Sequence, residues 1–241
     1  MYKETVVDWD DMIEREGAGR SYLTAKRLLD LAASMALLAI FSPVLLACAI
    51  AIRLDSEGPI FFRQSRLGRY GRVFRIFKFR TMIPNAAASG DGLLTRSNDP
   101  RITRVGAILR RYRLDEAPQL INVFLGEMSL VGPRPLLPEF LPYYSDTDLI
   151  RLLVPPGMTG WQQIRGGSRD SWDERISHDV WYVEHIGLGL DLAVLIQTPF
   201  VVLRGNSVYG ADGWQRSGVP TRCHLADYTI PTIPSQEEQP H

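Results

Sequence analysis

The segment LAASMALLAIFSPVLLACAIAI, Leu31 to Ile52, contains 22 consecutive residues without a charge. A run of about 20 apolar residues is long enough to cross the hydrocarbon core of a bilayer. A cleaved secretory signal peptide does not fit, because an acid-containing stretch precedes the run and the run is longer than the usual apolar region of such signals. This segment therefore predicts a helix that interacts with a membrane.

Ser42 and Pro43 lie at the centre of this run. Proline removes a backbone donor and clashes with the carbonyl four residues earlier, so we expect the helix to break or kink there. The serine hydroxyl can form a hydrogen bond with a backbone group that is left without a partner. Lys26, Arg27 and Arg53 place positive charge at both ends, which favours neither orientation across a membrane. A kinked spanning helix and a re-entrant hairpin both remain open, and a buried helix of a soluble protein is a third alternative.

Charge is unevenly distributed along a chain whose net charge is zero. Residues 53–113 contain 14 basic and 4 acidic residues, and the segments on either side are acidic. A basic block of this kind is typical of a surface that faces phosphates, acidic lipid headgroups or nucleic acid.

The segment PIFFRQSRLGRYGRVFRIFKFRTM, residues 59–82, predicts a β-hairpin. Gly68 and Gly71 mark a turn, and the segment after them alternates apolar with basic residues as a strand does. Lys78 and Arg80 share one face of that strand, which makes them candidates for phosphate binding. A solvated strand face, or a strand lying on lipid headgroups, is the alternative.

The segment NDPRITRVGAILRRYR, residues 98–113, has the periodicity of an amphipathic helix. Asp99 is in position to cap its N-terminus, with Pro100 as the first helical residue.

Two adjacent acids, Asp115 and Glu116, follow this helix. Because Pro118 is tolerated only in a first helical turn, we expect a second helix to begin near Asp115. Its dipole and free N–H groups would favour ionised carboxylates and also attract phosphate. Acids that only complement the dipole are the alternative explanation. Farther along, Arg134 lies between two prolines, whose rigidity suits anion binding.

Common catalytic and metal motifs are absent from the sequence. It contains no P-loop, no dinucleotide-binding glycine motif, no zinc-type spacing and no nucleophile-elbow motif. Its two cysteines, Cys48 and Cys223, form no disulfide framework, which fits a reducing compartment.

Several segments together resemble a known family, the bacterial sugar transferases called monotopic phosphoglycosyl transferases. The resemblance covers roughly residues 24–204. The segments that carry it, in order, are KRLLD…SPVLL, GPIFFRQSRLG, FRIFKFRTM, DPRITRVGAILRR, RLDEAPQLINVFLGEMSLVGPRPL, PGMTGWQQIRGG and DVWYVEH…LDL.

The resemblance implies a helix-rich α+β fold. An N-terminal re-entrant helix-break-helix hairpin, broken at Ser42-Pro43, would enter the membrane, and a compact catalytic domain would carry a short β-hairpin and amphipathic interfacial helices. The catalytic domain would lie on the cytoplasmic face of the bacterial inner membrane. The expected divisions are an acidic extension (1–23), the re-entrant membrane helix (24–54), the cytoplasmic transferase domain (55–204) and a Pro/Gly-rich tail (205–241).

The resemblance also implies a reaction. The family moves a phosphosugar from a UDP-sugar to undecaprenyl phosphate, releases UMP and so starts the assembly of a surface glycan, such as an exopolysaccharide, O-antigen, capsule or glycoprotein. Asp115 would attack the phosphosugar and form a covalent intermediate, and Mg²⁺ would be held by Asp115 and Glu116.

Other site residues are carried over from the same motifs. The candidate phosphate ligands are Lys78, Arg80, Arg110 and Arg134. Asp179 matches another polar position of the family, without a definite role.

The sequence departs from the family pattern beside the acid pair. Family members commonly have Ser-Leu-Asp-Glu-Leu-Pro, whereas here Arg113 replaces the serine and Ala117 the second leucine. Arg113 removes a helix cap but adds a positive charge near the proposed nucleophile.

A non-catalytic membrane scaffold of the same fold is the alternative function. Nucleic-acid binding is not expected, because of the central apolar run. Residues 1–19 and those after Asn206 lie outside the resemblance and are candidate contacts for partners or for a homodimer.

Overall fold

The structure, a computed structural model, describes residues 20–84, 86, 99–166 and 170–203. Its helices and strands are α1 (Arg20–Asp55), β1 (Phe61–Leu67), β2 (Val73–Phe79), α2 (Arg104–Arg111), α3 (Gln119–Leu125), β3 (Ser129–Val131), α4 (Asp146–Leu149), β4 (Gly157–Thr159), α5 (Trp161–Arg165), α6 (Trp172–Glu184) and α7 (Leu188–Leu203). The predicted helix-rich α+β class is confirmed. The proposed tail (205–241) and most of the N-terminal extension (1–23) lie outside the described residues.

Helix α1 contains the long apolar run and continues through Pro43. The predicted break is therefore not seen as an interruption between two helices. Because proline has no N–H, the carbonyl of Ala39 loses its usual helical donor, and the Ser42 hydroxyl donates to that oxygen at 2.8 Å. The predicted role of the serine is confirmed. By length and composition α1 could cross a membrane, and it is the one such helix within the described ranges.

Both ends of α1 pack on the same globular unit. Near the N-terminus, Asp30 accepts a hydrogen bond from the backbone of Leu130 at 3.0 Å. Near the C-terminus, Asp55 accepts one from the backbone of Val105, also at 3.0 Å. Between these anchors, residues 39–44 are all exposed. The helix therefore presents an apolar centre to its surroundings while both of its ends contact the folded domain.

The predicted β-hairpin is confirmed. Strands β1 and β2 are antiparallel, with Phe61 opposite Phe79 and Leu67 opposite Val73. The turn between them uses left-handed backbone conformations at Tyr70 (φ 57°) and Gly71 (φ 68°). The turn glycine is needed at the second of these positions, because side chains rarely adopt that conformation.

Helix α2 begins later than the sequence predicted. Its N-cap is Thr103, whose hydroxyl accepts from the backbone N–H of Gly106 at 3.0 Å. Asp99 instead binds the Arg101 guanidinium, with Oδ2 2.6 Å from Nη2. The prediction failed because a local capping rule does not anticipate a buried ion pair between residues two positions apart.

Asn122 joins α3 to the hairpin and is fully buried. Its side-chain oxygen accepts from the backbone of Phe77 at 2.9 Å, and its amide donates to the carbonyl of Arg75 at 2.9 Å. The Asn122 side chain thus forms the two backbone hydrogen bonds to β2 that a neighbouring strand would form. This contact fixes the segment that carries the acid pair against β2.

The C-terminal half packs α6 and α7 against a short parallel pair, β3 and β4. A buried carboxylate, Asp191, ties this half to α1. Its Oδ1 accepts from Tyr182 at 2.6 Å, and its Oδ2 accepts from Tyr22 at 2.7 Å and from Lys26 at 2.5 Å. We call Tyr22, Lys26, Tyr182 and Asp191 the Asp191 cluster.

Candidate active site

The two adjacent acids lie in a single 3₁₀ turn, Leu114–Glu116. The chain enters it through Arg113 at φ 57° and ψ 19°, a left-handed conformation that costs a non-glycine residue about 1–2 kcal/mol. Helix α3 begins only at Gln119, so the acids precede the α-helix rather than forming its first turn. A helix does follow the acid pair, as predicted, but it starts four residues later than expected, so the prediction that the acids form its first turn is wrong.

Glu116 binds two cations that are distant in sequence. Its Oε1 accepts from Lys78 Nζ and from Arg134 Nη2, each at 2.9 Å. Arg113 Nη1 lies 4.0 Å from the other oxygen, Oε2. The structure therefore brings together Glu116 and two of the predicted phosphate ligands. We call Asp115, Glu116, Lys78 and Arg134 the acid-pair cluster.

Asp115, in contrast, has no hydrogen-bond donor among the described residues. Burial and the negative charge of Glu116 raise the pKa of its carboxyl, although Lys78, Arg110 and Arg113 oppose this. Its two oxygens remain available for a ligand.

The pKa of Glu116 is shifted in the opposite direction, to below its usual range. Burial alone would raise the pKa of its carboxyl, but the charges of Arg134, Lys78 and Arg113 outweigh burial and hold that pKa well below its usual range. Neighbouring acids whose pKa values are pushed apart commonly have different roles in a reaction.

Arg110 adds a further positive charge close to the acid-pair cluster. Its Nε donates to the Thr81 hydroxyl at 2.8 Å. Its Nη1 is buried and has no hydrogen-bond partner among the described residues. A buried guanidinium nitrogen without an acceptor is costly, and the charge of Arg110 also opposes the rise in the pKa of the nearby Asp115 carboxyl.

Arg80, the fourth predicted phosphate ligand, lies elsewhere. Its Nη2 donates to the Ser56 carbonyl at 2.8 Å, and its Nη1 donates to the Glu57 carbonyl. These carbonyls immediately follow α1, so Arg80 braces the end of that helix. The contacts of its guanidinium do not support the predicted phosphate role.

Asp179 is buried away from the acid pair. Its Oδ2 accepts from Arg151 Nη2 at 2.6 Å and from Arg151 Nε at 3.1 Å. Burial raises the pKa of this carboxyl, against the opposing charge of Arg151. The structure thus pairs Asp179 with Arg151, whose Nη2 also donates to the Arg134 carbonyl.

Sequence reasoning missed Arg66. It lies opposite Phe74, so it shares a hairpin face with Lys78, which lies opposite Phe62. Its Nη2 donates to the Gln64 side chain at 2.7 Å, and burial, followed by the positive charge of Arg134, lowers its pKa to about 10. Strand alternation around the predicted turn was the signal that could have identified it.

A divalent cation fits part of this cluster. Mg²⁺ commonly binds one or two carboxylates together with substrate phosphates, rather than an all-protein cage. Asp115 offers both oxygens, whereas Oε1 of Glu116 already accepts from two cations. No group of three or more metal-binding side chains occurs in the described part of the chain. The donor set therefore fits a metal that would take Asp115 as its protein ligand and would need further ligands from a substrate.

Comparison with known proteins adds independent information. The sequence model of a family described as bacterial sugar transferase matches residues 21–205. An uncharacterized sugar transferase, EpsL, of Bacillus subtilis is 42% identical over 178 residues, which cover 74% of this chain and 87% of that protein.

Two further relatives are named for an activity. A UDP-N-acetylgalactosamine-undecaprenyl-phosphate N-acetylgalactosaminephosphotransferase of Aeromonas hydrophila is 39% identical, and the match covers 76% of this chain and 45% of that protein. An undecaprenyl-phosphate galactose phosphotransferase of Salmonella typhimurium is 38% identical, with 82% of this chain and 44% of that protein covered. The chain thus spans less than half the length of these two relatives.

Proposed function

Because this chain belongs to the bacterial sugar transferase family and is an enzyme of its phosphotransferase type, we propose that it transfers a phosphosugar from a UDP-sugar to undecaprenyl phosphate. The products are UMP and a polyprenyl-diphosphate sugar that starts a surface glycan. The observation that carries this proposal is the acid-pair cluster: one carboxylate without a donor lies beside a second that holds two cations.

The names of the relatives support the two substrates. One specifies a UDP-sugar and undecaprenyl phosphate together, and another specifies undecaprenyl phosphate with galactose. The basic block of residues 53–113 supplies the positive charge that a diphosphate donor and a lipid phosphate both require.

In the first step, an Asp115 carboxylate oxygen attacks the phosphorus that bears the sugar. The bond from that phosphorus to the bridging oxygen breaks, UMP leaves, and a phosphosugar-aspartyl ester remains. Lys78, Arg110 and Arg134 neutralise the charge that spreads over the phosphate oxygens. The absence of a donor on Asp115 leaves its oxygens free to align with the phosphorus.

In the second step, a phosphate oxygen of undecaprenyl phosphate attacks the same phosphorus. The bond to Asp115 breaks, and the carboxylate is regenerated. Neither step requires a proton transfer, because the nucleophiles and the leaving groups are all anions. Phosphoryl transfer of this kind depends on positioning and charge neutralisation rather than on a strong base.

Glu116 therefore acts as an anchor for cations. A general base works best with a pKa near the operating pH, whereas the pKa of Glu116 is held well below its usual range. By accepting from both Lys78 and Arg134, its carboxylate fixes where those charges lie beside Asp115.

Mg²⁺ is part of this proposal, with Asp115 as its protein ligand. When bound, it would supply Lewis-acid stabilisation of the diphosphate charge. We assign Glu116 only to the surroundings of the metal, because Oε1 already accepts from Lys78 and Arg134.

We also propose that α1 enters the cytoplasmic leaflet of the bacterial inner membrane and returns to the same side. A helix that crosses a bilayer core of about 30 Å places its ends on opposite faces. Here Asp30 and Asp55, near the two ends of α1, both bind the same globular unit, and the exposed apolar residues 39–44 lie between them. These contacts favour a re-entrant arrangement centred on Ser42-Pro43.

Nucleotide release tests the proposed reaction. Purified protein in detergent, given Mg²⁺, undecaprenyl phosphate and a panel of UDP-sugars, should release UMP with at least one sugar. Asp115→Asn should abolish the release, while Asp146→Asn, an exposed aspartate of α4, serves as the matched control. Release of UDP would mean an ordinary glycosyl transfer, and glycan assembly that persists in cells with Asp115→Asn would favour the non-catalytic scaffold.

A further inference from the structure

The turn that carries Arg134 is held at three main-chain atoms. The N–H of Gly132 donates to the Thr159 carbonyl at 2.9 Å, and the carbonyl of Pro133 accepts from Gly157 at 2.8 Å. The third atom, the carbonyl of Arg134 itself, accepts from Arg151 Nη2 at 2.6 Å. Two of these contacts come from the strand backbone, whereas the third depends on one side chain.

Arg151 is a buried cation, with 2% of its surface exposed. Its Nε and Nη2 donate to Asp179 Oδ2, and its Nη1 donates to the Tyr144 hydroxyl at 2.9 Å. A buried charge is tolerated when it is paired and hydrogen-bonded in this way. The planar guanidinium is thereby held in one orientation, with Nη2 directed at the Arg134 carbonyl.

We propose that Arg151 is a positioning residue for the transfer reaction. It fixes the main chain of Arg134, so that the Arg134 guanidinium meets Glu116 on one side and the substrate phosphates on the other. Asp179 acts one step farther back, by orienting Arg151. This inference rests on the proposed function and assigns it two residues that do not touch substrate.

A purely structural role makes a different prediction. Replacing a buried ion pair with apolar residues of similar volume is often neutral or stabilising. If Arg151 and Asp179 served stability alone, their joint replacement would leave a folded enzyme of normal activity. If they position Arg134, the same replacement preserves folding and lowers the transfer rate.

The test is the charge-neutral double variant Arg151→Met/Asp179→Leu. We expect a thermal midpoint close to that of the wild type, and a loss of about 10- to 100-fold in kcat/KM for UMP release, as for a catalytic group displaced by about 1 Å. Tyr144→Phe is the matched control, because it removes a contact of Arg151 that does not lead to Arg134. Its activity should stay within about threefold of wild type, because Arg151 keeps both bonds to Asp179 and its bond to the Arg134 carbonyl.

Coupling to Arg134 separates positioning from general damage. If Arg151 and Asp179 act only through Arg134, replacing them in an Arg134→Ala variant should have almost no further effect. We expect activity to fall by no more than about twofold, which is the usual error in adding the effects of substitutions. A full additional loss in that background would overturn the proposal. Arg151→Lys provides a second route if the double variant does not fold, because one ammonium cannot reproduce the planar fork of guanidinium contacts.

Hydrogen–deuterium exchange gives a readout that does not depend on activity. Peptides covering residues 129–137 should exchange faster in the double variant than in the wild type. In Tyr144→Phe their exchange rate should be unchanged. A double variant with wild-type exchange and wild-type kcat/KM would overturn the positioning role. A wild-type enzyme that releases no UMP would instead overturn the proposed function, and faster exchange in the variant would still support the inference about Arg151.

Discussion

The Asp191 cluster and the acid-pair cluster are both built from buried or half-buried charges, but only the first is complete. Asp191 accepts from Lys26 and from two tyrosines, so both of its oxygens have donors. In the acid-pair cluster, Glu116 is similarly paired, whereas Asp115 has no donor among the described residues. Arg110 likewise keeps a buried nitrogen that no described group accepts from.

We interpret this difference as the one between a structural brace and the proposed reaction site. A complete ion pair joins two elements and leaves nothing to bind a ligand. An incomplete one has unused donors and acceptors, which a substrate phosphate or a cation can complete. Changes in the first cluster should therefore alter stability, and changes in the second should alter activity.

Lys26→Met should produce the largest change in stability. Removing one partner of a buried pair leaves the Asp191 carboxylate without its cation, at a cost of about 3–5 kcal/mol. Thermal denaturation in detergent measures this loss, and Tyr22→Phe, which removes a neutral donor to the same oxygen, should cost less. Phosphosugar transfer per folded molecule should be unchanged; a folded, stable variant with lost activity would contradict the division between the clusters.

Lys78→Met should give the opposite result. Loss of a cation beside the transferred phosphate is expected to lower kcat by about 10²–10³-fold, as for removal of one group that stabilises a transition-state charge. Stability should be nearly unchanged, because Arg134 still pairs with Glu116. Arg75→Met, an exposed position on the same strand, is the matched control. Equal losses in both variants would mean that only general surface charge matters.

Arg80→Gln tests a residue only two positions from Lys78. Its guanidinium binds carbonyls at the end of α1, so its loss should lower stability by about 1–3 kcal/mol through unsatisfied polar groups. Activity of the folded fraction should remain close to wild type. A large loss of kcat without a lower thermal midpoint would restore the phosphate role that the sequence predicted for Arg80.

The hairpin residues Lys78 and Arg80 show how much of the site the sequence could predict. The hairpin followed from Gly68 and Gly71, and strand alternation placed Lys78 and Arg80 on one face. Alternation does not say what a side chain contacts, and the Arg80 guanidinium binds the Ser56 and Glu57 carbonyls at the end of α1. The roles of Asp115 and Glu116 were expected from family resemblance, because adjacent acids alone are common near helix starts.

Other features depended on tertiary contacts that no local pattern encodes. Arg151 approaches Arg134 across 17 residues of chain. Asp99 satisfied a local capping rule, yet it binds Arg101 and leaves the cap to Thr103. In both cases a buried guanidinium takes part, and a buried charge is tolerated only when it is paired and hydrogen-bonded.

The smallest expected effect is a shift in pH dependence. The proposed first step requires an ionised Asp115, so its rate should rise with pH through the raised pKa of that carboxyl. Glu116→Gln removes the negative charge that raises this pKa and leaves the opposing cations, so the acidic limb should move to lower pH. UMP release without acceptor, measured across pH, reports this. An acidic limb that moves upward would contradict the assigned coupling between the two acids.

The most direct test of the central claim is to mix enzyme and donor UDP-sugar without undecaprenyl phosphate, quench in acid and analyse the Asp115 peptide by mass spectrometry. The covalent route predicts a mass increase equal to one phosphosugar on Asp115, stoichiometric UMP, and neither of these in Asp115→Asn. UMP that forms only when undecaprenyl phosphate is present, with an unmodified Asp115 peptide, would contradict the covalent route and indicate direct transfer between the two substrates.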